Sequence, residues 1–197
     1  MIELEPIIAA VITAMATLAS VLGGQVLLRS RKEKTCIVKE TAQNANVYTA
    51  LNYIIDEMGG DRAYIMEFHN GDSYFSGRGQ QKYSCTHEVV QEGISAECEY
   101  SQNHRMSNYH QYVNALLKTK CYIFKNIENV KDRAFHQMLV RKGVKSIYNV
   151  PIRTLNGRTI GILGIDYVKD EMKKNDDPEA ILAFMHRQSR TIAGYLV

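Results

Sequence analysis

The 197-residue chain is 45% hydrophobic and 23% charged, with three prolines and thirteen glycines, which suits one domain of ordinary size plus an appendage and excludes a disordered tail. No fixed-period repeat or low-complexity run is visible, so a solenoid is excluded as well. The formal charge is +3, and residues 29–197 carry 24 basic and 19 acidic side chains, an excess too small for a general nucleic-acid surface.

The first predicted element is apolar. From Pro6 to Leu28 no charged residue occurs, and 23 helical residues span ~34 Å against a hydrocarbon core of ~30 Å. Residues 6–28 are therefore expected to cross the lipid bilayer once. Glu3 and Glu5 precede the span, where a cleaved signal peptide would carry basic residues. Arg29, Arg31, Lys32 and Lys34 follow it, which puts the N-terminus outside and everything beyond Leu28 in the cytoplasm. Ala16, Ser20 and Gly24 recur at four-residue spacing, the small-residue pattern through which two membrane helices approach.

A heptad-like register through Ile37, Thr41, Asn44, Tyr48, Leu51, Ile55 and Met58 predicts a helix over 34–58, closed by Gly59 and Gly60. Its last turns suit packing on a sheet, and its register, continued from the membrane face, predicts a parallel homodimer. Residues 62–68 read as a central strand and 72–82 as a long surface loop, with strands over 83–90 and, weakly, 93–100. Ser107 caps an expected helix over 108–118, followed by a strand over 121–127 and a helix over 132–142 stopped by Gly143. Two strands, 146–154 and 158–168, are joined through Leu155, Asn156 and Gly157, a strong hairpin signal. Pro178 opens the last helix. The resulting division is a membrane anchor over 1–28, a basic segment and connecting helix over 29–58, and a domain over 59–197 whose first helix begins near residue 40.

His69, Asn70, Asp72, Tyr74 and Arg78 sit where a strand breaks into a loop, the place from which polar side chains line a binding site. Cys85, His87, Cys98 and His104 lack a recognised zinc spacing, so no metal site is expected. Cys36, Cys85, Cys98 and Cys121 form no CxxC pair and are expected as free thiols. Cys36 lies next to the basic segment, where acylation would add a second anchor. No phosphate loop, dinucleotide fingerprint, serine elbow or HExxH motif occurs.

Residues 134–167, AFHQMLVRKGVKSIYNVPIRTLNGRTIGILGIDY, resemble the GAF family: a helix ending near Gly143, a strand reaching Val150 and Pro151, then Asn156, Gly157 and the run Gly161 to Asp166. The resemblance extends over about residues 40–197. It implies an α+β fold, an antiparallel sheet with helices on one face and loops with a ligand pocket on the other. It also implies a sensory or regulatory module for cyclic nucleotides, tetrapyrroles, other small molecules or dimerisation. The Asn-Lys, Phe, Asp-Glu pattern of cyclic-nucleotide-binding members is absent. The free-methionine-sulfoxide reductases of this fold use cysteines over the pocket, and Cys85 and Cys98 fall in a comparable stretch, although the glycine-rich cysteine motif is missing. The expectation is thus a membrane-anchored, dimeric, non-enzymatic module that binds a small cytoplasmic molecule or protein and needs no cofactor. Its alternatives are a ligand-free scaffold and a thiol-dependent reductase.

Overall fold

The computed structural model describes residues 13–24, 37–172 and 177–197. Residues 13–24 form helix α1, from which Met15, Leu18, Val21 and Leu22 project exposed. Among the described residues no helix is long and apolar enough to cross a membrane. The rest of the 6–28 span lies outside them, as do the basic residues 29–34 and Cys36. In α1 the Ser20 hydroxyl donates to Ala16 O at 2.9 Å, within its own helix.

Asn44–Val197 form one compact unit, and the described residues 13–24 and 37–43 belong to a separate one. The larger unit is built on a six-stranded antiparallel sheet of β1 (Arg62–Ser73), β2 (Gly79–Val90), β3 (His104–Arg105), β4 (Tyr122–Phe124), β5 (Ser146–Arg153) and β6 (Thr159–Tyr167), in the order β3-β2-β1-β6-β5-β4. Helices α2 (Ile37–Met58) and α5 (Pro178–Leu196) supply the core on one face, where Leu51, Ile54 and Ile55, with Met185 and Ile192, join Ile65, Val150 and Leu163. On the other, α3 (His110–Thr119) and α4 (Arg133–Arg141), with the short 3-10 turns Met106–Tyr109 and Ile127–Asn129, cover Tyr64, Met66, Tyr83, Ile147 and Ile162. The period-two alternation of β1 divides Ala63 and Ile65 from Tyr64 and Met66 in this way. Helices thus lie on both faces rather than one.

Local chemistry sets several boundaries. Gly59 ends α2 at φ +61°, and Asp132 caps α4 by accepting from Phe135 N at 3.2 Å. Gly143 follows α4 at φ +67°, and Gly157 turns the β5–β6 hairpin at φ +82°. Pro178 occupies the first turn of α5, behind the cap Asp177.

Elsewhere the sequence expectations need correction. The loop expected over 72–82 is mostly hairpin, because β1 runs on to Ser73 and β2 starts at Gly79. The pairs His69 with Lys82 and Asn70 with Gln81 satisfy the backbone whatever the side chains. Residues 93–100 are turns and irregular backbone rather than a strand, held by Glu88, whose Oε2 accepts from Glu97 N at 2.7 Å and Cys98 N at 2.9 Å. Ser107 lies inside a 3-10 turn, and α3 starts without a side-chain cap. Leu51 and Ile55 are buried in the domain's own core, which removes both from any dimer seam.

Candidate functional site

The face under α3 and α4 contains a charged cluster enclosed by aromatic rings. Arg62 opens β1 and is only 1% exposed. Its Nε lies 3.9 Å from Glu88 Oε1 and 3.8 Å from Asp166 Oδ2, and its Nη2 donates to Lys142 O at 3.3 Å. Asp166 stands directly across the β1–β6 ladder from it. The Tyr64 hydroxyl lies 3.0 Å from Asn149 Oδ1 and 3.1 Å from Asp166 Oδ1, two acceptors for its one proton. Asn149 Nδ2 donates to Tyr112 Oη at 2.9 Å, which extends the network from the sheet to α3. Lys142, just past α4, donates to Ser101 Oγ at 2.5 Å.

Burial dominates the electrostatics. It pushes the Asp166 carboxyl up to about 6, against the opposing pull of Arg62, Lys142 and the Tyr64 hydroxyl. It lowers Lys142 from its ordinary value, while Asp166 and Glu97 act to raise it. Tyr64 and Tyr112 are both held well above the usual phenol range, again chiefly by burial.

Between the sheet and these helices lies a cavity of about 20 Å³, lined among others by Arg62, Tyr83, Glu88, His104, Lys142 and Asp166. That volume admits roughly one water molecule. Arg62 Nε and Nη1, Tyr83 Oη and His104 Nε2 are buried without a hydrogen-bond partner, so polar atoms from three elements face it unsatisfied. Burial also lowers His104, with Lys142 and Arg141 adding to the effect, which favours the neutral imidazole. Aromatic packing closes the space: Tyr112 stacks on Phe135 at 3.8 Å between centroids, and Tyr109 meets both Tyr83 and Phe135 at 6.1 Å.

The five residues singled out from sequence lie elsewhere, on the β1–β2 ribbon, and none lines this cavity. His69 is half-buried, with Nε2 2.9 Å from Ser84 Oγ. Asn70 and Asp72 are exposed. Tyr74 and Arg78 meet at the turn, the guanidinium 5.0 Å from the ring centre. Arg62 and Asp166 were passed over in the sequence reading; Asp166 carried a usable signal as the one charge in an otherwise apolar strand, whereas Arg62 opens a strand that also holds Glu67 and Asp72. Among the described residues no group of three His, Cys, Asp or Glu side chains is placed to hold a metal ion. Cys85 is buried and its Sγ donates to His87 O at 3.5 Å.

The sequence matches no family model and no curated protein. The fold has solved counterparts. The blue-light-absorbing form of the Thermosynechococcus elongatus PixJ GAF domain matches with a TM-score of 0.63 at 15% identity, covering 82% of this chain and 89% of that one. A third GAF domain of a Synechocystis protein, in its photoproduct state, matches at 0.58 with 10% identity, covering 77% of this chain and 90% of that one. A far-red-absorbing dark state with bound biliverdin matches at 0.54 with 12% identity, covering 78% and 97%. A tetrapyrrole does not fit the space described here, since about 20 Å³ lies far below the ~300 Å³ at which small-molecule pockets begin. Strand order, helix placement and these likenesses agree that the domain following residue 43 is GAF-like in fold.

Proposed function

We propose that this chain is a non-catalytic sensory or regulatory module whose GAF-like domain binds a small polar molecule between the sheet and helices α3 and α4. The carrying observation is the buried Arg62 guanidinium, whose Nη1 has no hydrogen-bond partner and whose Nε has only the long ion-pair contacts to Glu88 and Asp166, beside Tyr83 Oη and His104 Nε2, which also lack a hydrogen-bond partner. Such atoms cost about 1–3 kcal/mol each when left unpaired, so a ligand presenting acceptors gains affinity by satisfying them. The cavity as formed holds only water-sized species, and entry of anything larger requires its walls, Tyr112 and Phe135 among them, to move apart. In the same reading residues 6–28 anchor the chain in a bilayer, with the domain on the cytoplasmic side, and two copies associate. The apolar run and the basic residues behind it support this. His69, Asn70, Asp72, Tyr74 and Arg78 then serve contacts outside the cavity.

The reading contains no thiol chemistry. Burial pushes Cys85 far above the ordinary thiol range, opposite to the activation that a nucleophilic cysteine requires. A ligand-free assembly module is the second reading, favoured by the small cavity. Native mass spectrometry of the gently purified full chain separates the two. The ligand reading expects a retained small molecule that is lost in Arg62→Met while the domain stays folded. Bare protein from its native source, together with no thermal shift by any member of a polar-metabolite panel, refutes it.

A further inference from the structure

A second concave site lies on the far side of the sheet's outer edge. Strand β4 is three residues long and pairs only with Ile147–Asn149, so the end of β5, Pro151 to Arg153, has no neighbour on that side. The gap is a groove of about 880 Å³ between the β5–β6 turn, the end of α3 and the last turns of α5. Pro151, Leu155, Ala193 and Val197 give it apolar walls, and Leu155 and Val197 stand exposed on its rim.

Its side-chain charge is one-sided. Lys120, Arg153 and Arg190 line it, with His186, and no acidic side chain does. Among the described residues none of these three cations forms an ion pair. Arg153 Nη2 donates to Leu117 O at 3.2 Å, which fixes the guanidinium, while its Nε is buried with no partner. His186 reports the same field: burial first, then Arg190, Lys120 and Arg153, hold its imidazole below the ordinary value. Three cations around one concave, partly desolvated surface repel one another more strongly than they would in open water, and an anion relieves the repulsion.

A peptide strand is a poor occupant of this edge. Pro151 has no N–H to offer, and its carbonyl already accepts from Ser189 Oγ at 2.8 Å. Side-chain cations beside apolar walls suit a different ligand. We infer that this groove is a binding site for an amphiphilic anion, a phosphate or carboxylate on an apolar body, with the head held by Arg153, Arg190 and Lys120. The body lies along Pro151, Leu155 and Ala193. The site is separate from the cavity under α3 and α4, and neither depends on the other.

Gly194 gives the inference a clean test. It is an exposed residue of α5, lines the groove, and an added Cβ meets nothing within 4 Å, so Gly194→Leu projects an apolar obstacle from the groove wall without pressing on the core. The full chain, kept in phosphatidylcholine nanodiscs, is photolabelled with a diazirine-bearing dodecyl phosphate, and the labelled peptides are mapped by mass spectrometry. Labelling is expected on peptides containing residues 151–157 and 186–197, competed by plain dodecyl phosphate and at least 100-fold less well by inorganic phosphate. It should fall about tenfold or more in Arg190→Gln and in Arg153→Gln, as loss of a charge-assisted contact requires, and in Gly194→Leu. Competition by added phosphatidylglycerol vesicles identifies a lipid headgroup as the source of the anion. Competition by soluble dodecyl phosphate alone identifies a free amphiphile, and either supports the site. Equal labelling by the same chain bearing trimethylammonium, labelling confined to other peptides, or labelling unchanged in Gly194→Leu and both arginine variants overturns it. Inorganic phosphate competing as well as dodecyl phosphate overturns the amphiphile assignment.

Discussion

Replacing Arg62 with methionine removes a buried cation from between two carboxylates while keeping much of its apolar volume. The guanidinium is 1% exposed, and its hydrogen bond to Lys142 O contributes about 1 kcal/mol. The larger effect depends on pH. Arg62 is the leading influence that lowers Asp166, whose carboxyl nevertheless stands at about 6 against an ordinary 3.8. Without Arg62 the carboxyl rises further. A raised carboxyl binds a proton in the folded state that the unfolded chain has released, so stability falls as pH rises through that interval. Below about pH 5 Asp166 is already neutral in both proteins, and the substitution should cost only about 1–2 kcal/mol. At pH 8 each tenfold loss of Asp166 acidity adds about 1.4 kcal/mol to that cost, and breaking a buried ion pair from one side typically costs ~3–5 kcal/mol in all. Urea unfolding of both full-length proteins at pH 5 and pH 8, followed by tyrosine fluorescence since the chain has no tryptophan, reads the difference directly. A penalty under 1 kcal/mol at pH 8, or one equal at both values, refutes the assignment of Arg62 as the counter-charge of Asp166.

Asp166→Asn removes the titration itself, and the variant should gain about 2–2.5 kcal/mol relative to the parent between pH 4 and pH 7; parallel stability–pH curves would contradict the raised carboxyl. Gly164→Ala should cost about 1–3 kcal/mol in a thermal melt, because its Cβ would collide with the Tyr64 ring and approach Asn149 Oδ1 to 2.6 Å, and an unchanged melting point would mean that the network is not as tight as described. Asp132→Ala removes the cap of α4 together with the acceptor for Tyr112 N at 3.0 Å, and a loss of about 2–3 kcal/mol is expected in urea unfolding, where a loss below 0.5 kcal/mol argues against the double role. Cys85 should resist iodoacetamide at pH 8 long after the half-buried Cys98 and Cys121 have reacted, as peptide mapping over time would reveal; comparable rates would place its thiol in a different environment.

The legible parts of this sequence were those governed by neighbours in the chain. Asp132, Gly143 and Pro178 mark helix ends through capping and backbone geometry that act within a few residues, and the Asn156–Gly157 turn brings its two strands together. The ribbon beyond Phe68 was hidden because a polar strand is recognisable only from its partner, and β1 and β2 stabilise each other through backbone pairing. The turns at 93–100 depend on Glu88, a residue outside the segment. The charged cluster was hidden for a similar reason. Asp166 stands out as a charge in an apolar strand, but its pairing with Arg62 follows from the β1–β6 register, which no local pattern states. Pocket residues assigned to a strand-to-loop break presume that the strand ends there, and here it continues.

The outermost strands of the sheet are the shortest, β3 with two residues and β4 with three. An open edge of backbone donors and acceptors is a template on which other chains polymerise, and small edge strands remove it. Beyond β3, the free side of β2 is already engaged: Cys85 N donates to Ser101 O, and Gln102 Nε2 donates to Cys85 O. Beyond β4, proline and a serine hydroxyl occupy the margin of β5. Growth of the sheet from one molecule into the next is therefore blocked at both sides. A high local concentration of this domain therefore does not by itself seed a fibre.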